Sequence, residues 1–286
     1  MRVVGWRDGA RDPGRAARRS RSAAAPSRTE HRLRRGRAGP STTASSEHLR
    51  DLIPQVRYVL WDLDGPICRL FAKHSAPDIA KRMIPLIDKL AQEGRLEVPV
   101  PPKRLRRDPH ERLRAVGQSW GGAEQVARLE EWLTGEELTA VDSARGPGHQ
   151  TLGELGVRFA VSTNNAGRAA TCYPAATGLG KFFPHVFGRT SELSLMKPDP
   201  RTLLLALDAL GAAPAQALML GDAPTDFKAA QAAGVAFLGY ADKPNKVRKL
   251  LEAGCRRLAG INALLRPHFS GLGWPHSAES GAVGTA

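Results

Sequence analysis

From residue 56 onward, short apolar runs alternate with amphipathic stretches. The runs VRYVLWDLD (56–64), VRFAVSTN (157–164), HVFGR (185–189), QALMLGD (216–222) and VAFLGY (235–240) read as buried strands. DPRTLLLALDALGA (199–212) and TDFKAAQAAG (225–234) read as helices. The second offers Thr225 as a predicted N-cap and Gly234 where a left-handed C-cap belongs. Strands alternating with helices at this spacing predict crossover units around a parallel sheet. Residues 68–150 break the rhythm. They hold three amphipathic patterns, APDIAKRMIPLIDKLAQEG, DPHERLRAVGQSW and GAEQVARLEEWLTGEELTAV, and no convincing strand. This predicts a helical insertion after the first strand.

Composition narrows the class. A chain of 286 residues with 42% apolar content is large enough for a substantial core, or for a core and a smaller partner domain. The longest apolar runs fall far short of the ~18–20 residues that span a bilayer, so no membrane partner is expected. Three widely spaced cysteines, Cys68, Cys172 and Cys255, argue against a disulfide framework and for a reducing, cytoplasmic setting.

The formal charge of +14 suggests nucleic acid until it is located. Residues 1–50 carry 13 arginines against four acids, Asp8, Asp12, Glu30 and Glu47, so +9 of the excess sits there. That segment, rich in Arg, Ala, Ser and Gly, lacks apolar periodicity and is expected to be a disordered basic tail. Few aromatics are present to stack bases, so nucleic-acid binding is expected only weakly, through counterion release from this tail. The arginines have no apolar h-region after them, which argues against a secretory signal. Some likeness to an organellar transit peptide is weakened by the four acids, and a translation start set too far upstream is a further reading. The end of the chain, PHFSGLGWPHSAESGAVGTA (267–286), reads as a flexible tail.

Ligands of open parallel sheets bind at the carboxyl ends of the strands. The chain collects its polar residues there. Asp62 and Asp64 close the first run, Ser162, Thr163 and Asn164 the second, and Asp222 with Asp226 follow the fourth in GDAPTD. Lys197 stands in MKPDP, ahead of the helix leading to the fourth run. Taken singly, these are turn formers, helix caps and solvated loops. Together and in this order they are a constellation. Two carboxylates a few ångströms apart cannot both ionise comfortably unless a cation intervenes. A hard divalent ion with oxygen ligands meets that need, Mg²⁺ characteristically through one or two carboxylates, waters and a substrate phosphate.

These motifs, DLDG, Thr163-Asn164 after FAVS, Lys197 in KPDP, and Asp222 and Asp226 in GDAPTD, resemble the haloacid dehalogenase superfamily of phosphohydrolases over about residues 56–265. TGLGKFFPHVFGR and DFKAAQAAGVAFLGYA match as well. A helical insertion between the first two motifs resembles the subgroup with an α-helical cap, as in phosphoglycolate phosphatases and β-phosphoglucomutases. The resemblance implies an α/β fold: a Rossmann-like three-layer core with a central parallel sheet and an inserted helical cap. It divides the chain into core (51–67 and 140–265), cap (68–139) and tails (1–50 and 266–286).

The resemblance also implies roles. Asp62 would be the nucleophile and a metal ligand. Asp64 would be the general acid–base and a ligand through its carbonyl, with Asp222 a ligand and Asp226 supporting or joining the set. Thr163, with Asn164 and the alternative Ser162, would hold the phosphoryl oxygens, and Lys197 would balance charge. The family's DxDGT reads DLDGP here, so Pro66 replaces a hydroxyl residue, trims a donor and fixes φ.

Arg69, Lys73 and His74, early in the insertion, are candidate substrate readers, and Trp120 and Trp132 are expected in its core. The implied activity is Mg²⁺-dependent hydrolysis of a small phosphorylated metabolite through an aspartyl-phosphate, by a monomer or homodimer. Alternatives are a phosphomutase of the same fold and, further off, a non-enzymatic nucleic-acid binder. Dehalogenation is disfavoured, since similar dehalogenases lack the second aspartate that Asp64 supplies.

Overall fold

The structure, a computed structural model, describes residues 55–99, 107–146 and 157–259. The expected tails at 1–50 and 266–286 lie outside these residues. The six strands found among them are β1 (Tyr58–Trp61), β2 (Arg158–Ala166), β3 (Val186–Arg189), β4 (Ala217–Gly221), β5 (Ala236–Tyr240) and β6 (Leu258–Ala259). They form one parallel sheet in the order β3-β2-β1-β4-β5-β6. Five were expected from the sequence. The sixth is a two-residue edge strand, too short to leave a hydrophobic signature.

Side-chain alternation divides the core into two faces. Val59 and Trp61 of β1 pack on one side with Phe159, Val161, Leu218 and Leu220. Tyr58 and Leu60 pack on the other with Ala160 and Met219. Three helices lie between β1 and β2: α1 (Ala76–Gly94), α2 (Pro109–Trp120) and α3 (Glu124–Ser143). Helix α4 (Gly167–Ala176) covers the first face of the sheet through Ala170 and Tyr173. Helices α5 (Arg201–Leu210), α6 (Pro224–Ala232) and α7 (Pro244–Glu252) cover the second through Leu203, Ala229 and Leu250. The result is the three-layer α/β sandwich that the alternation of strand and helix predicts.

The inserted helices α1, α2 and α3 bury an apolar cluster of their own around Ile79, Met83, Leu90, Leu113, Leu129 and Leu133. Trp120 belongs to that cluster and donates its indole N–H to the Glu97 carbonyl at 2.7 Å, while Trp132 packs at its margin. Leu193 and Met196, from the segment after β3, insert into the same cluster and join the helices to the sheet unit.

Two local expectations are corrected. The first strand ends at Trp61, because the chain turns away at Gly65 with φ +118°. Helix α6 starts at Pro224 after Ala223, without Thr225 as its cap. The Asp226 carboxylate reaches back and accepts the Asp222 and Ala223 N–H groups at 3.1 and 3.0 Å, so the free donors are already met. Gly234 does take the left-handed conformation, φ +68°.

Candidate active site

Strand order reverses at β1, whose chain successors lie on its β2 side while β4 lies on the other. Such a switch point leaves a crevice at the carboxyl ends of the strands. Register sets what meets there. Trp61 pairs with Val161 and with Leu220, so Asp62, Ser162–Thr163 and Gly221–Asp222 emerge side by side. The Asp62 N–H still bonds to the Leu220 carbonyl at 2.8 Å, which anchors the carboxylate at the strand end.

Lys197 is the centre of the arrangement. Its ammonium lies 3.0 Å from Asp62 Oδ1, 2.6 Å from Asp226 Oδ1 and 2.8 Å from the Ser162 carbonyl. Only 1% of the residue is exposed. Burial disfavours its charge, but Asp226 and Asp62 outweigh that and hold its pKa above the ordinary lysine value. The Asn164 amide pins the lysine's backbone, accepting from the Lys197 N–H at 2.7 Å and donating to its carbonyl at 3.0 Å. Arg114 of α2 donates to the same carbonyl at 3.1 Å.

Asp64 is held differently. One carboxylate oxygen accepts the Leu70 N–H at 2.9 Å, and burial, with the Asp62 charge second, pushes its pKa up to about 6. Asp222 is driven well above the carboxylate range by burial, with Asp62, Asp64 and Asp226 adding to it and Lys246 opposing. Gly65 is forced by the same crowding: a Cβ there would sit 2.4 Å from Asp222 Oδ2.

The other predicted residues divide. Thr163 is buried and lines the cavity, its hydroxyl bonded to Asn165 at 2.9 Å. Ser162 faces the other way, with its hydroxyl on Thr202 at 2.9 Å, and enters the site only by its carbonyl. A cavity of about 540 Å³ lies over Asp62, Asp64, Thr163 and Lys197. Arg69, Lys73 and His74 are not among its walls. His74 is committed to Glu136 at 2.6 Å, and Arg69 lies 3.6 Å from Asp242. The wall that the inserted segment supplies comes instead from Phe71, from Ala76 and Pro77 at the start of α1, and from Arg107 to Glu111.

Sequence reasoning missed a buried network behind that wall. Glu137 of α3 takes a two-pronged contact from Arg189 at the end of β3, 3.0 and 3.1 Å, and the Ala166 N–H at 2.8 Å. His110 lies 2.6 Å from the same carboxylate. Burial works against the Glu137 charge, yet Arg189 and His110 lower its pKa to about 2. For His110, burial disfavours the protonated ring, but the Glu137 carboxylate outweighs it and raises the pKa.

The donor set suits a divalent cation. Oxygens of Asp62, Asp222 and Asp226 lie within 4.8 Å of one another. Around them four carboxylates, counting Asp64, face two ammonium groups, Lys197 and Lys246. With all four ionised the set is short of two positive charges, and an ion such as Mg²⁺ on these hard oxygen ligands would supply them.

Comparison with known proteins agrees with this geometry. Residues 56–234 match the haloacid dehalogenase-like hydrolase model. A phosphoglycolate phosphatase of Pseudomonas putida is 30% identical over 200 residues, 64% of this chain and 68% of that protein. One from Rhodospirillum rubrum is 39% identical over 97 residues, where the match spans only 40% of the relative's length and 32% of this chain. The fold also matches a structure described as a predicted phosphatase from Clostridium acetobutylicum, with TM-score 0.50 and 15% identity over 76% of this chain and 99% of that one. No helix among the described residues is long and apolar enough to cross a membrane. The chain belongs to the haloacid dehalogenase-like hydrolases.

Proposed function

We propose that the protein is a Mg²⁺-dependent phosphatase that hydrolyses a small phosphomonoester through a phosphoryl group carried on Asp62. The observation that carries this reading is Lys197, buried and bridged between Asp62 and Asp226 beside a second, separately held aspartate. Residues 51–67 and 140–265 are the catalytic core in this reading, and 68–139 the cap over it. The relatives direct the first choice of substrate to 2-phosphoglycolate.

The chemistry follows from the placement. Asp62 attacks phosphorus, and the P–O bond to the leaving alkoxide breaks. Asp64, whose pKa is raised toward neutrality to about 6 by burial, gives a proton to the alkoxide. Water then attacks phosphorus and passes a proton to the Asp64 carboxylate, releasing Asp62 and inorganic phosphate. Lys197 stays charged throughout and offsets the negative charge that gathers on the nucleophile and phosphoryl oxygens. Thr163 holds a phosphoryl oxygen, and Asn164 acts by fixing the Lys197 backbone. Asp62 and Asp222, with Asp226 behind them, would hold the ion, which supplies charge neutralisation at the phosphoryl oxygens.

The test is release of inorganic phosphate across a panel of phosphorylated metabolites, with and without Mg²⁺, for wild type and Asp62→Asn. Release that requires both Mg²⁺ and Asp62, with 2-phosphoglycolate among the better substrates, is expected. Equal hydrolysis by the variant would remove Asp62 as nucleophile.

A further inference from the structure

The two ammonium groups facing the acidic cluster are held in unlike ways. Lys197 is enclosed, with three oxygen partners and 1% exposure. Lys246, in the first turn of α7, contacts Asp222 Oδ2 and keeps 28% of its side chain exposed. It also has a second carboxylate within reach, Asp242 Oδ1 at 3.6 Å, four positions earlier in the chain. Tyr240 offers its ring face to the same ammonium, 5.9 Å from the centroid.

The carboxylate that Lys246 holds is in demand. Asp222 belongs to the three-carboxylate set suited to a cation, and Gly65 leaves room for Oδ2 only because it lacks a Cβ. A divalent ion entering that set competes with the ammonium for the same carboxylate. Lys197 cannot yield, since its partners include the nucleophile and a buried carbonyl. Lys246 can, because Asp242 lies beside it, its Oδ1 facing Lys246 while its Oδ2 faces the exposed Arg69, each at 3.6 Å.

We propose that Lys246 is a tethered counter-cation of the metal site, neutralising Asp222 until a divalent ion binds and then transferring to Asp242. This rests on reading Asp62, Asp222 and Asp226 as the cation site. The lysine keeps the acidic cluster tolerable before the ion arrives, at the expense of apparent affinity for it. It is a residue of this chain acting on the loading of the site, outside the chemical steps.

The test uses the full chain and Mn²⁺ titrations read by electron paramagnetic resonance. Lys246→Met, which keeps most of the stem and loses the charge, should bind Mn²⁺ roughly fivefold tighter, the scale of one partly exposed ion pair. Asp242→Asn, which removes the waiting acceptor, should bind it more weakly. Movement is tested separately: reductive methylation of Lys246, read by peptide mass spectrometry, should rise when Mg²⁺ is added to wild type. Unchanged or weaker Mn²⁺ binding by Lys246→Met, or methylation that Mg²⁺ leaves unaltered, overturns the exchange while the cation site stands. Failure of wild type to bind Mn²⁺ at all overturns the site and the exchange together.

Discussion

Replacing Asp64 by asparagine should make the protein more stable and less active, with a pH dependence that identifies the cause. Burial and the Asp62 charge raise the Asp64 pKa from 3.8 to about 6 in the folded chain. A carboxyl raised in this way binds its proton more tightly folded than unfolded. Its contribution is therefore favourable at low pH and is lost as pH rises through the folded value. Below about pH 4 both states hold the proton, and Asp64 costs nothing relative to asparagine. Between about pH 4 and pH 6 the unfolded chain has released it and the folded chain has not, so wild type loses stability. Above that the cost is constant.

A carboxyl lifted from 3.8 to about 6 costs the folded chain about 3 kcal/mol near neutrality, an upper figure because the residue opens onto the cavity. Asparagine retains an oxygen for the Leu70 N–H, so that contact is not the variable. Urea unfolding of both proteins without divalent ion, at several values between about pH 4.5 and 7.5, gives the difference directly. Asp64→Asn should gain stability over wild type up to about pH 6 and then hold a constant advantage. Turnover should fall by about 10²–10⁴, the scale of a lost general acid–base. A difference that is flat with pH, or a variant less stable near neutrality, would refute the placement of Asp64 in a crowded anionic site.

Two further substitutions probe the surroundings. Gly65→Ala puts a Cβ 2.4 Å from Asp222 Oδ2 at φ +118°, so about 1–3 kcal/mol of stability and most Mg²⁺-dependent turnover should be lost. Unfolding and Mg²⁺ titration check this, and a variant matching wild type in both contradicts it. Arg189→Met leaves Glu137 buried without its main partner and should cost about 3–5 kcal/mol by thermal unfolding, much of it recovered in the double variant with Glu137→Leu. A single variant that unfolds with wild type would show that the network carries no such weight.

What the sequence makes legible, and what it does not, divides along one physical line. Residues at the carboxyl ends of parallel strands are legible because β1 pairs in register with both β2 and β4, which brings Asp62, Thr163 and Asp222 together once the strands are known. Helix α4 escapes the pattern because it is short, small-residue and interrupted by Pro174, and α7 because only Leu250 of its nine residues is buried. Arg69, Lys73 and His74 are near the first motif along the chain, yet their neighbours Phe71, Ala76 and Pro77 line the cavity in their place, together with a later helix start at Arg107 to Glu111. Glu137 and Arg189 are 52 positions apart, and although Arg189 ends the matching stretch TGLGKFFPHVFGR nothing there points to Glu137, so their pairing exists only in three dimensions. Lys246 is the same case within the site itself: nothing in PNKVRKLLE marks a partner for Asp222. The chemistry is written at strand ends, where backbone register determines position. What tunes it is charge brought in from helices, and single-sequence patterning carries no record of which helix charge meets which strand.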